Sequence, residues 1–411
     1  MRSTRPAPFH VPPLRRAAAV AAVVPLLALA ACNAGGSTQG SGTGAQADSP
    51  ATTGAAAPSS AAIVSFNVNR GATSVPVDTT LKASISDGKL ESVTVRGPEG
   101  RLDGALGSDG TAWTASGLLE PGTTYRVQAK GVDAAGVAVS KAMSFRTEAL
   151  DVKTQQVFPS IAPLDGEKVG VGMPVIVTFD LPVKDRASIE KHLTVTSSPV
   201  QQGAWHWISD TEVHWRPKSY WKPGTKVHVA ADINSVSAGG GVYGQKDRES
   251  DFTVGDAHVY KVNAQTHQMQ VYSNGKLLRT LPITTGKPGF ITRSGVKVII
   301  EKFASKRMNS ETVGIGGSEA YDIDNVQWAM RLTYSGEFIH AAPWSVGSQG
   351  RANVSHGCTG MSTANAKWLY DLSRRGDVVE TTGTDRPMEP GNGYGDWNIG
   401  WKAYEKGSAL A

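Results

Sequence analysis

One pattern occurs twice in this chain and constrains its fold more than any other feature. Trp113 and Trp215 are each followed, after seven residues, by Pro-Gly-Thr and then by apolar residues at the same spacing, ending at a valine. Around both copies, short runs alternate between apolar and polar residues and are broken by Gly and Pro. These runs are residues 82–86, 125–129, 175–179 and 227–231. Alternation with a period of two between turn residues indicates β-strands.

The offset between the two copies is 102 residues, and Phe145 and Phe252 close the two units. A repeat of about 100 residues built from short strands is typical of immunoglobulin-like β-sandwiches. We therefore predict two such domains, residues 61–150 and 151–254.

The following region, residues 255–383, changes character but is again mostly β. Asn274-Gly275 between alternating runs predicts a hairpin, and residues 296–300 form a strand-like apolar run. One main helix is predicted, with Ser362 as its N-cap and Gly376 at its end. The tail, residues 384–411, is rich in Trp and is expected to pack back on the domain formed by residues 255–383 or on the domain before it. The predicted fold class is therefore mainly β: two sandwiches followed by a mostly β domain with one main helix.

The N-terminal 31 residues have the features of a signal peptide. They carry four arginines and no acid, and residues 17–31 are an apolar stretch too short for a comfortable membrane span. This stretch ends at Cys32, in a sequence that resembles the lipobox of bacterial lipoproteins. The resemblance implies cleavage before Cys32, lipid on its thiol, and anchoring to the outer face of the cytoplasmic membrane, facing the cell wall. Ordinary cleavage after a small residue is the alternative, and the Sec and twin-arginine export routes both remain open.

Residues 32–60 are dominated by Gly, Ser, Thr, Ala and Gln, which predicts a flexible tether. The net charge of +5 is concentrated ahead of it: removing four arginines from 41 basic residues leaves 37, against 36 acidic residues. A nearly neutral remainder offers no field for a nucleic-acid backbone, so nucleic acid is excluded as a partner.

Cys358, in the stretch NVSHGCTG, would have no disulfide partner if Cys32 carries lipid. An unpaired thiol in an exported protein has three interpretations: a buried space-filling residue, a metal ligand, or a nucleophile. A metal site would have to use Cys358, His356 and His340, without the usual ligand spacing and without a second cysteine. We expect neither a metal nor another cofactor.

Three local features favour the nucleophile. If residues 355–358 are extended, His356 and Cys358 point to the same face. The helix capped by Ser362 begins just after the cysteine, and a helix N-terminus favours a thiolate. Gly357 and Gly360 leave the backbone bare, so that its N–H groups could approach an oxyanion.

The spacing of His340, fourteen residues and then Ser-His-Gly-Cys resembles the signature of the L,D-transpeptidase catalytic domain of the YkuD type. Residues 339–358, 366–380 and 395–401 are similar to enzymes of the mycobacterial type, as is the order of lipobox, two immunoglobulin-like domains and catalytic domain. The resemblance therefore covers essentially the whole mature chain.

The resemblance implies a role for each site residue. Cys358 would be the nucleophile and His340 the general base, oriented by the backbone carbonyl of Ala341. His356 would flank the nucleophile, and the backbone of Gly357 and Cys358, with the hydroxyl of Tyr321, would stabilise the oxyanion. The expected substrate-binding surface also includes Ser355, Met308 and Trp344, and residues 308–321 lie where the family has a lid.

The implied reaction joins two peptidoglycan stem peptides. Cys358 would attack a tetrapeptide donor and release D-alanine, and the acyl group would pass to the amine of an acceptor stem, giving a 3→3 cross-link. Carbapenem-type inhibitors are expected to acylate the same thiol. One departure from the family pattern is Gly360, where Asn or Arg is usual. It leaves open a wall-binding lipoprotein with weakened or absent catalysis, or a carboxypeptidase that uses water as the acceptor.

Overall fold

The computed structural model describes residues 60–411. The predicted signal peptide (1–31), the lipidation site Cys32 and nearly all of the predicted tether lie outside the described residues. Within the described part of the chain, no helix is long and apolar enough to cross a membrane.

The first region is a sandwich of two four-stranded antiparallel sheets, in the strand orders β1-β2-β6-β5 and β4-β3-β7-β8. Inward-facing residues alternate with exposed ones along the strands, and Trp113 lies in the core between the sheets. The strands are β1 (Ile63–Phe66), β2 (Lys82–Ser86), β3 (Gly88–Gly97), β4 (Gly100–Leu102), β5 (Gly104–Leu106), β6 (Ala112–Ala115), β7 (Thr124–Asp133) and β8 (Ala138–Arg146).

The second region has sheets in the orders β10-β12-β15-β14 and β11-β19-β16-β13, with a small third sheet, β17-β18-β9. Trp215, the counterpart of Trp113 in the repeat, is again in the core. The elements are β9 (Gln156–Val157), β10 (Pro159–Ala162), β11 (Lys168–Val169), β12 (Val175–Phe179), α1 (Arg186–Glu190), β13 (Leu193–Ser198), β14 (Gly203–Trp207), β15 (Glu212–Pro217), β16 (Lys226–Ala231), β17 (Ser237–Gly239), β18 (Val242–Gly244) and β19 (Arg248–Val254).

The third region also contains two sheets, ordered β22-β21-β20-β28-β23 and β24-β25-β26-β27. Helix α2 packs against β25 and β26, and its Ala366 and Leu369 join the core shared by both sheets. The elements are β20 (His258–Asn263), β21 (Gln268–Ser273), β22 (Lys276–Pro282), β23 (Gly295–Val298), β24 (Glu301–Asn309), β25 (Asp322–Arg331), β26 (Phe338–Ala341), β27 (Thr359–Met361), α2 (Thr363–Leu372) and β28 (Val378–Thr382). The predicted fold class is thus confirmed: two immunoglobulin-like sandwiches precede a mostly β domain with one main helix.

Helix α2 begins as predicted and ends earlier. The Ser362 side chain accepts a hydrogen bond from the N–H of Asn365 at 3.3 Å, which makes it the N-cap. The prediction that the helix continues to Gly376 was wrong. The backbone is already extended at Ser373, where the hydroxyl donates to the carbonyl of Leu369 at 2.6 Å, and Gly376 (φ 93°) belongs to the turn that precedes β28.

The tail contains a buried charged cluster that joins it to the second sandwich. The carboxylate of Asp396, 1% exposed, lies 2.9 Å from Nδ1 of His214 and accepts a hydrogen bond from the hydroxyl of Tyr404 at 3.0 Å. Nε2 of His214 lies 2.9 Å from Glu212. Burial lowers the pKa of His214, but Asp396 and then Glu212 outweigh it and raise that pKa to about 9, so the ring is charged at neutral pH.

Two further contacts complete the attachment of the tail, one to the second sandwich and one to the third region. Arg216 of β15 donates to the carbonyl of Ile399 at 2.9 Å and lies 4.6 Å from the ring centre of Trp397. Asn398 bonds both backbone groups of Val296 in β23, at 2.8 Å and 2.7 Å. The tail (384–411) therefore contacts both the second sandwich and the domain that carries Cys358.

Candidate active site

Two neighbouring parallel strands bring Cys358 and His340 together. His340 lies on β26, and Cys358 immediately precedes β27, in a register that places His340 opposite Gly360. This register places His340 and Gly360 side by side in the sheet. Cys358 lies two residues before Gly360, toward Phe338, and residues two apart on a strand project to the same face. The seventeen residues between them, 341–357, loop out and return, which explains the wide spacing of His340 and Cys358 in sequence.

The thiol of Cys358 rests in the turn before β26 and not on the histidine. Its sulfur lies 3.6 Å from the carbonyl oxygen of Gly336, and no hydrogen bond between Cys358 and His340 is found among residues 60–411. The side chain is 8% exposed. Burial is the main cause that raises the pKa of Cys358 to about 12, and the carboxylate of Glu337 adds to the effect. The backbone N–H of Phe338 and, less strongly, the ammonium of Lys297 oppose it. The resting side chain of Cys358 is therefore a neutral thiol.

His340 is positioned to act as a base. Its Nδ1 lies 2.8 Å from the carbonyl oxygen of Ala341, and because a carbonyl can only accept, Nδ1 must carry the proton and Nε2 the lone pair. Burial lowers the pKa of His340, although the bond to Ala341 opposes this. A neutral imidazole with a free Nε2 is the form that removes a proton from a thiol.

A buried charged cluster lies next to the turn that receives the Cys358 thiol. Lys297 is 0% exposed and Glu337 is 4% exposed; the ammonium of Lys297 contacts one carboxylate oxygen of Glu337 at 2.5 Å. The other oxygen accepts from the guanidinium and from the backbone N–H of Arg293, both at 3.0 Å. Because Glu337 follows Gly336 in the chain, this cluster holds the turn in which the Cys358 thiol rests.

A second charged cluster connects the predicted lid to the segment that precedes Cys358. The carboxylate of Glu319 lies 2.6 Å from Nε2 of His356 and 2.6 Å from the ammonium of Lys287. Lys287 first, and His356 second, lower the pKa of Glu319. The ring of His356 also packs edge-on against Phe290, 4.6 Å between centres. His356 therefore fastens residues 310–321 to the segment that precedes Cys358.

Cys358, His340 and His356 border one cavity of about 230 Å³. Within it, Trp344 is 57% exposed at the rim, and its ring centre lies 5.9 Å from that of His340. Burial raises the pKa of the Tyr321 hydroxyl, which stays protonated and able to donate a hydrogen bond. The lining consists of Thr284, Met308, Tyr321, Ile323, His340, Ala342, Trp344, Ser345, Val354, Ser355, His356, Cys358 and Gly360.

The segment from Ser355 to Cys358 is bent, so the condition under which His356 and Cys358 would point to the same face is not met. Gly357 has φ 117°, a conformation that side chains rarely allow, and it breaks the strand alternation. The hydroxyl of Ser355 donates to the carbonyl of Cys358 at 2.6 Å and accepts from the N–H of Gly357 at 3.1 Å. The N–H of Gly357 is thus already engaged, and would have to leave Ser355 before it could bind an oxyanion.

Gly360 occupies a tight place in the sheet. A Cβ on this residue would lie 3.0 Å from the Cβ of Ala342 and 3.0 Å from Cγ2 of Thr284. Its N–H donates to the carbonyl of Thr284, and its carbonyl accepts from the N–H of Thr284, both at 2.9 Å. Glycine here permits close packing of β27, and a larger residue would need its neighbours to move.

Sequence reasoning missed Lys297, Glu337 and Glu319. Lys297 lies within an apolar run and Glu337 beside a turn. Charged residues are mostly exposed in proteins, so both side chains are expected to face solvent when only their neighbours in sequence are known. A lysine inside a strand-like run was the one usable signal, because such a residue needs a buried partner. No group of three or more metal-ligating His, Cys, Asp and Glu side chains occurs between residues 60 and 411.

Comparison with known proteins identifies the family. The L,D-transpeptidase catalytic domain family matches residues 257–381, and a bacterial Ig domain family matches residues 72–237. L,D-transpeptidase 2 of Mycobacterium tuberculosis is 37% identical over 349 residues, which cover 84% of this chain and 84% of that protein. The chain belongs to the L,D-transpeptidase family.

Other L,D-transpeptidases are similar over less of the chain. L,D-transpeptidase 5 of Mycobacterium tuberculosis is 34% identical over 339 residues, 80% of this chain and 73% of that protein. A solved LD transpeptidase in complex with imipenem is 36% identical, covers 56% of this chain and 99% of its own, and has a TM-score of 0.49. The match of the L,D-transpeptidase catalytic domain family and the 37% identity to L,D-transpeptidase 2 show that the domain with Cys358 is an enzyme domain, preceded here by immunoglobulin-like modules.

Proposed function

We propose that this chain forms 3→3 cross-links in peptidoglycan through an acyl-enzyme on Cys358, with release of D-alanine from a tetrapeptide donor. One observation carries the proposal. Cys358 and His340 line the same cavity, and the bond from His340 Nδ1 to Ala341 leaves Nε2 as a free base. A nucleophile and an oriented base in one pocket are the requirements of cysteine acyl transfer.

The first half-reaction starts with a movement of the thiol. Cys358 turns from the Gly336 carbonyl toward His340, and Nε2 takes its proton. The sulfur bonds to the carbonyl carbon that precedes D-alanine, and the tetrahedral intermediate collapses with cleavage of the C–N bond. The proton on His340 passes to the departing amine, so that neutral D-alanine amine and a thioester on Cys358 are formed.

The second half-reaction restores the thiol. The side-chain amine of an acceptor stem attacks the thioester, His340 accepts the proton that the amine loses, and the C–S bond breaks. The sulfur leaves as thiolate and recovers the proton from His340. A new amide bond replaces the one broken in the donor, so no external energy source is needed.

We propose that the oxyanion of both intermediates is stabilised by the N–H of Cys358 and the hydroxyl of Tyr321. Gly357 joins them once its N–H has left the Ser355 hydroxyl. Loss of one such donor typically costs about 3–4 kcal/mol of transition-state stabilisation. Met308, Trp344 and Ser355 would then contact the stem peptide along the walls of the cavity.

We also propose that the chain is exported and works at the outer face of the cytoplasmic membrane, held by lipid on Cys32. The supporting observation is the apolar stretch that ends at that cysteine. Labelling with a radioactive fatty acid in a bacterial host, and its loss in Cys32→Ala, would test this. Equal labelling of the two proteins would contradict the anchor.

The reaction is tested with purified protein and disaccharide tetrapeptides. Wild type should release D-alanine and form cross-linked dimers in equal amounts, whereas Cys358→Ala should form neither. A carbapenem should add its full mass to wild type, because opening of the β-lactam ring by the thiol loses no atoms. Cys358→Ser is the matched control for packing. Absence of both the adduct and the dimer on folded wild type would refute the proposal.

A wall-binding lipoprotein with weakened or absent catalysis is the second candidate. It is favoured by the resting position of the Cys358 thiol, which contacts Gly336 and not His340, and by Gly360. It predicts sedimentation with peptidoglycan but neither dimer nor free D-alanine. A carboxypeptidase, in which water replaces the acceptor amine, would release D-alanine without any dimer. The ratio of D-alanine to dimer, measured with and without added acceptor stem, separates the three functions.

A further inference from the structure

A row of arginines crosses one face of the first sandwich, far along the chain from Cys358. In the sheet β4-β3-β7-β8, Arg101 pairs with Arg96, Arg96 with Arg126, and Arg126 with Ser144. Residues directly opposite in antiparallel strands project to the same face, and neighbouring strands lie about 4.8 Å apart. All four side chains are exposed. The residues next to them along the strands, such as Val95 and Val127, are buried, so the row faces solvent.

A fourth arginine extends this row beyond the edge strand. The N–H of Gly71 donates to the carbonyl of Ser144 at 2.8 Å and thereby brings Arg70 to the end of the row. Arg70, Arg96 and Arg126 border an open groove of about 900 Å³. Its lining contains no acidic residue and consists of Arg70, Thr94, Arg96, Gly97, Pro98, Thr124, Arg126, Val127, Gln128, Ala142, Met143 and Ser144.

The fold gives no reason for this arrangement. Like charges directly opposite in a sheet are destabilising, and Arg96 faces Arg126. Within residues 60–411, Arg70, Arg96 and Arg126 make no side-chain ion pair or hydrogen bond; only Arg101 has a partner, Asp103 at 3.3 Å. Residues 61–150 contain nine basic and nine acidic residues. The row is therefore a local separation of charge in a neutral domain, as expected of a surface that binds an anion.

We propose that this arginine row binds the carboxylates of peptidoglycan stem peptides, as a second contact with the wall polymer. The inference rests on the proposed function, which makes that polymer the substrate. A guanidinium matches a carboxylate with two parallel hydrogen bonds. Beside the arginines, Thr94 and Gln128 in the neighbouring row and Ser144 in the same row offer groups that suit the amides of a peptide. A bare phosphodiester chain would use only the charges.

The second contact would act by raising the local concentration of substrate. A chain held on the wall through its first sandwich presents its Cys358 domain to stems nearby, and linked sites gain affinity without any new contact in the active site. The groove would therefore change action on polymeric peptidoglycan and leave action on short soluble stems unchanged.

The test is sedimentation of the full chain, inactivated by Cys358→Ala, with purified peptidoglycan. Arg96→Glu with Arg126→Glu should weaken binding by at least about tenfold, because two carboxylate contacts become repulsive. Lys82→Glu with Lys153→Glu, which changes the net charge equally at exposed sites outside the groove, is the matched control and should bind as the parent does. Equal binding of the two double variants would overturn the inference.

Two further arms identify the ligand. Glycan strands stripped of their stem peptides by an amidase should not bind; binding of stripped strands, or stronger competition by polyphosphate than by polyglutamate, would also overturn the inference. In the background with Cys358 intact, the arginine double variant should cross-link soluble tetrapeptides at the parental rate. Failure of the proposed function appears separately, as absence of dimer and carbapenem adduct in a protein whose arginine-dependent binding persists.

Discussion

The resting position of Cys358 makes a prediction about how fast its thiol reacts at each pH. A thiol with a pKa of about 12 is about one part in ten thousand thiolate at pH 8, whereas one at the ordinary 9.0 is about one part in ten. Alkylation by iodoacetamide at pH 8 should therefore be about a thousandfold slower in the folded protein than in the same chain unfolded in urea. The rate should rise about tenfold per pH unit, without a plateau below pH 11.

The assay is peptide mass spectrometry, which separates alkylation at Cys358 from alkylation at Cys32. Restricted access to a side chain that is 8% exposed would lower every rate but would not change the slope, so the slope is the diagnostic. His340→Ala should leave the profile unchanged, because the sulfur is bonded to Gly336 and not to the ring. A rate independent of pH between 6 and 8 in wild type would refute this reasoning, since it would show a preformed thiolate–imidazolium pair.

Three further predictions concern the buried charged cluster around His214, Gly360 and the predicted lid. His214 has a folded pKa of about 9, above the ordinary 6.5, so its contribution of about 3 kcal/mol to stability is complete below pH 6.5 and is lost as pH rises through 9. Urea unfolding across that range should show this loss in wild type and not in His214→Gln; parallel curves would contradict it. Gly360→Ala and, more strongly, Gly360→Asn should lower the free energy of unfolding by about 1–3 kcal/mol, and with it Tm, because the added atoms would press on Ala342. An unchanged Tm would contradict this, since it would mean that β27 and its neighbours shift at no cost. Glu319→Gln should speed amide hydrogen exchange in residues 310–321, because it removes the charge that contacts His356 and Lys287. Glu311→Gln is the control in the same segment, and equal exchange in the two variants would mean that the contact with His356 does not stabilise this segment.

Local patterns in the sequence were enough to predict much of the architecture. The runs 82–86 and 175–179 coincide with β2 and β12 from end to end. Buried and exposed residues alternate along β2, which is a direct consequence of strand geometry, whereas four of the five residues of β12 are buried. Asn274 and Gly275 both have positive φ, 48° and 79°, as a two-residue hairpin loop requires. These features depend on neighbouring residues alone.

Predictions that depended on where an element ends were less accurate. The apolar run 296–300 continues past β23, which ends at Val298, because Ile299 and Ile300 are buried while the backbone crosses toward β24. Apolar character reports burial, and burial does not require strand pairing. Helix α2 likewise ends at Leu372, four residues before the glycine expected to end it.

The candidate site divides in the same way. The spacing of His340 and Cys358 was visible in the sequence, and so was the carbonyl of Ala341 as a partner, through family resemblance. The contacts between Lys297 and Glu337 and between Glu319 and His356 join residues 40 and 37 positions apart. No periodicity connects such residues, because only the folded sheets bring them together.

The turn that receives the Cys358 thiol also bears on how long the protein remains usable. Oxidation of cysteine proceeds from the thiolate and requires access of the oxidant to sulfur. A neutral sulfur, 8% exposed and bonded to the Gly336 carbonyl, offers little of either. We expect the idle protein to resist peroxide, and to become vulnerable only while a bound substrate draws the sulfur toward His340. The resting geometry would then slow activation of the thiol, and it would also slow oxidation of Cys358 while no substrate is bound.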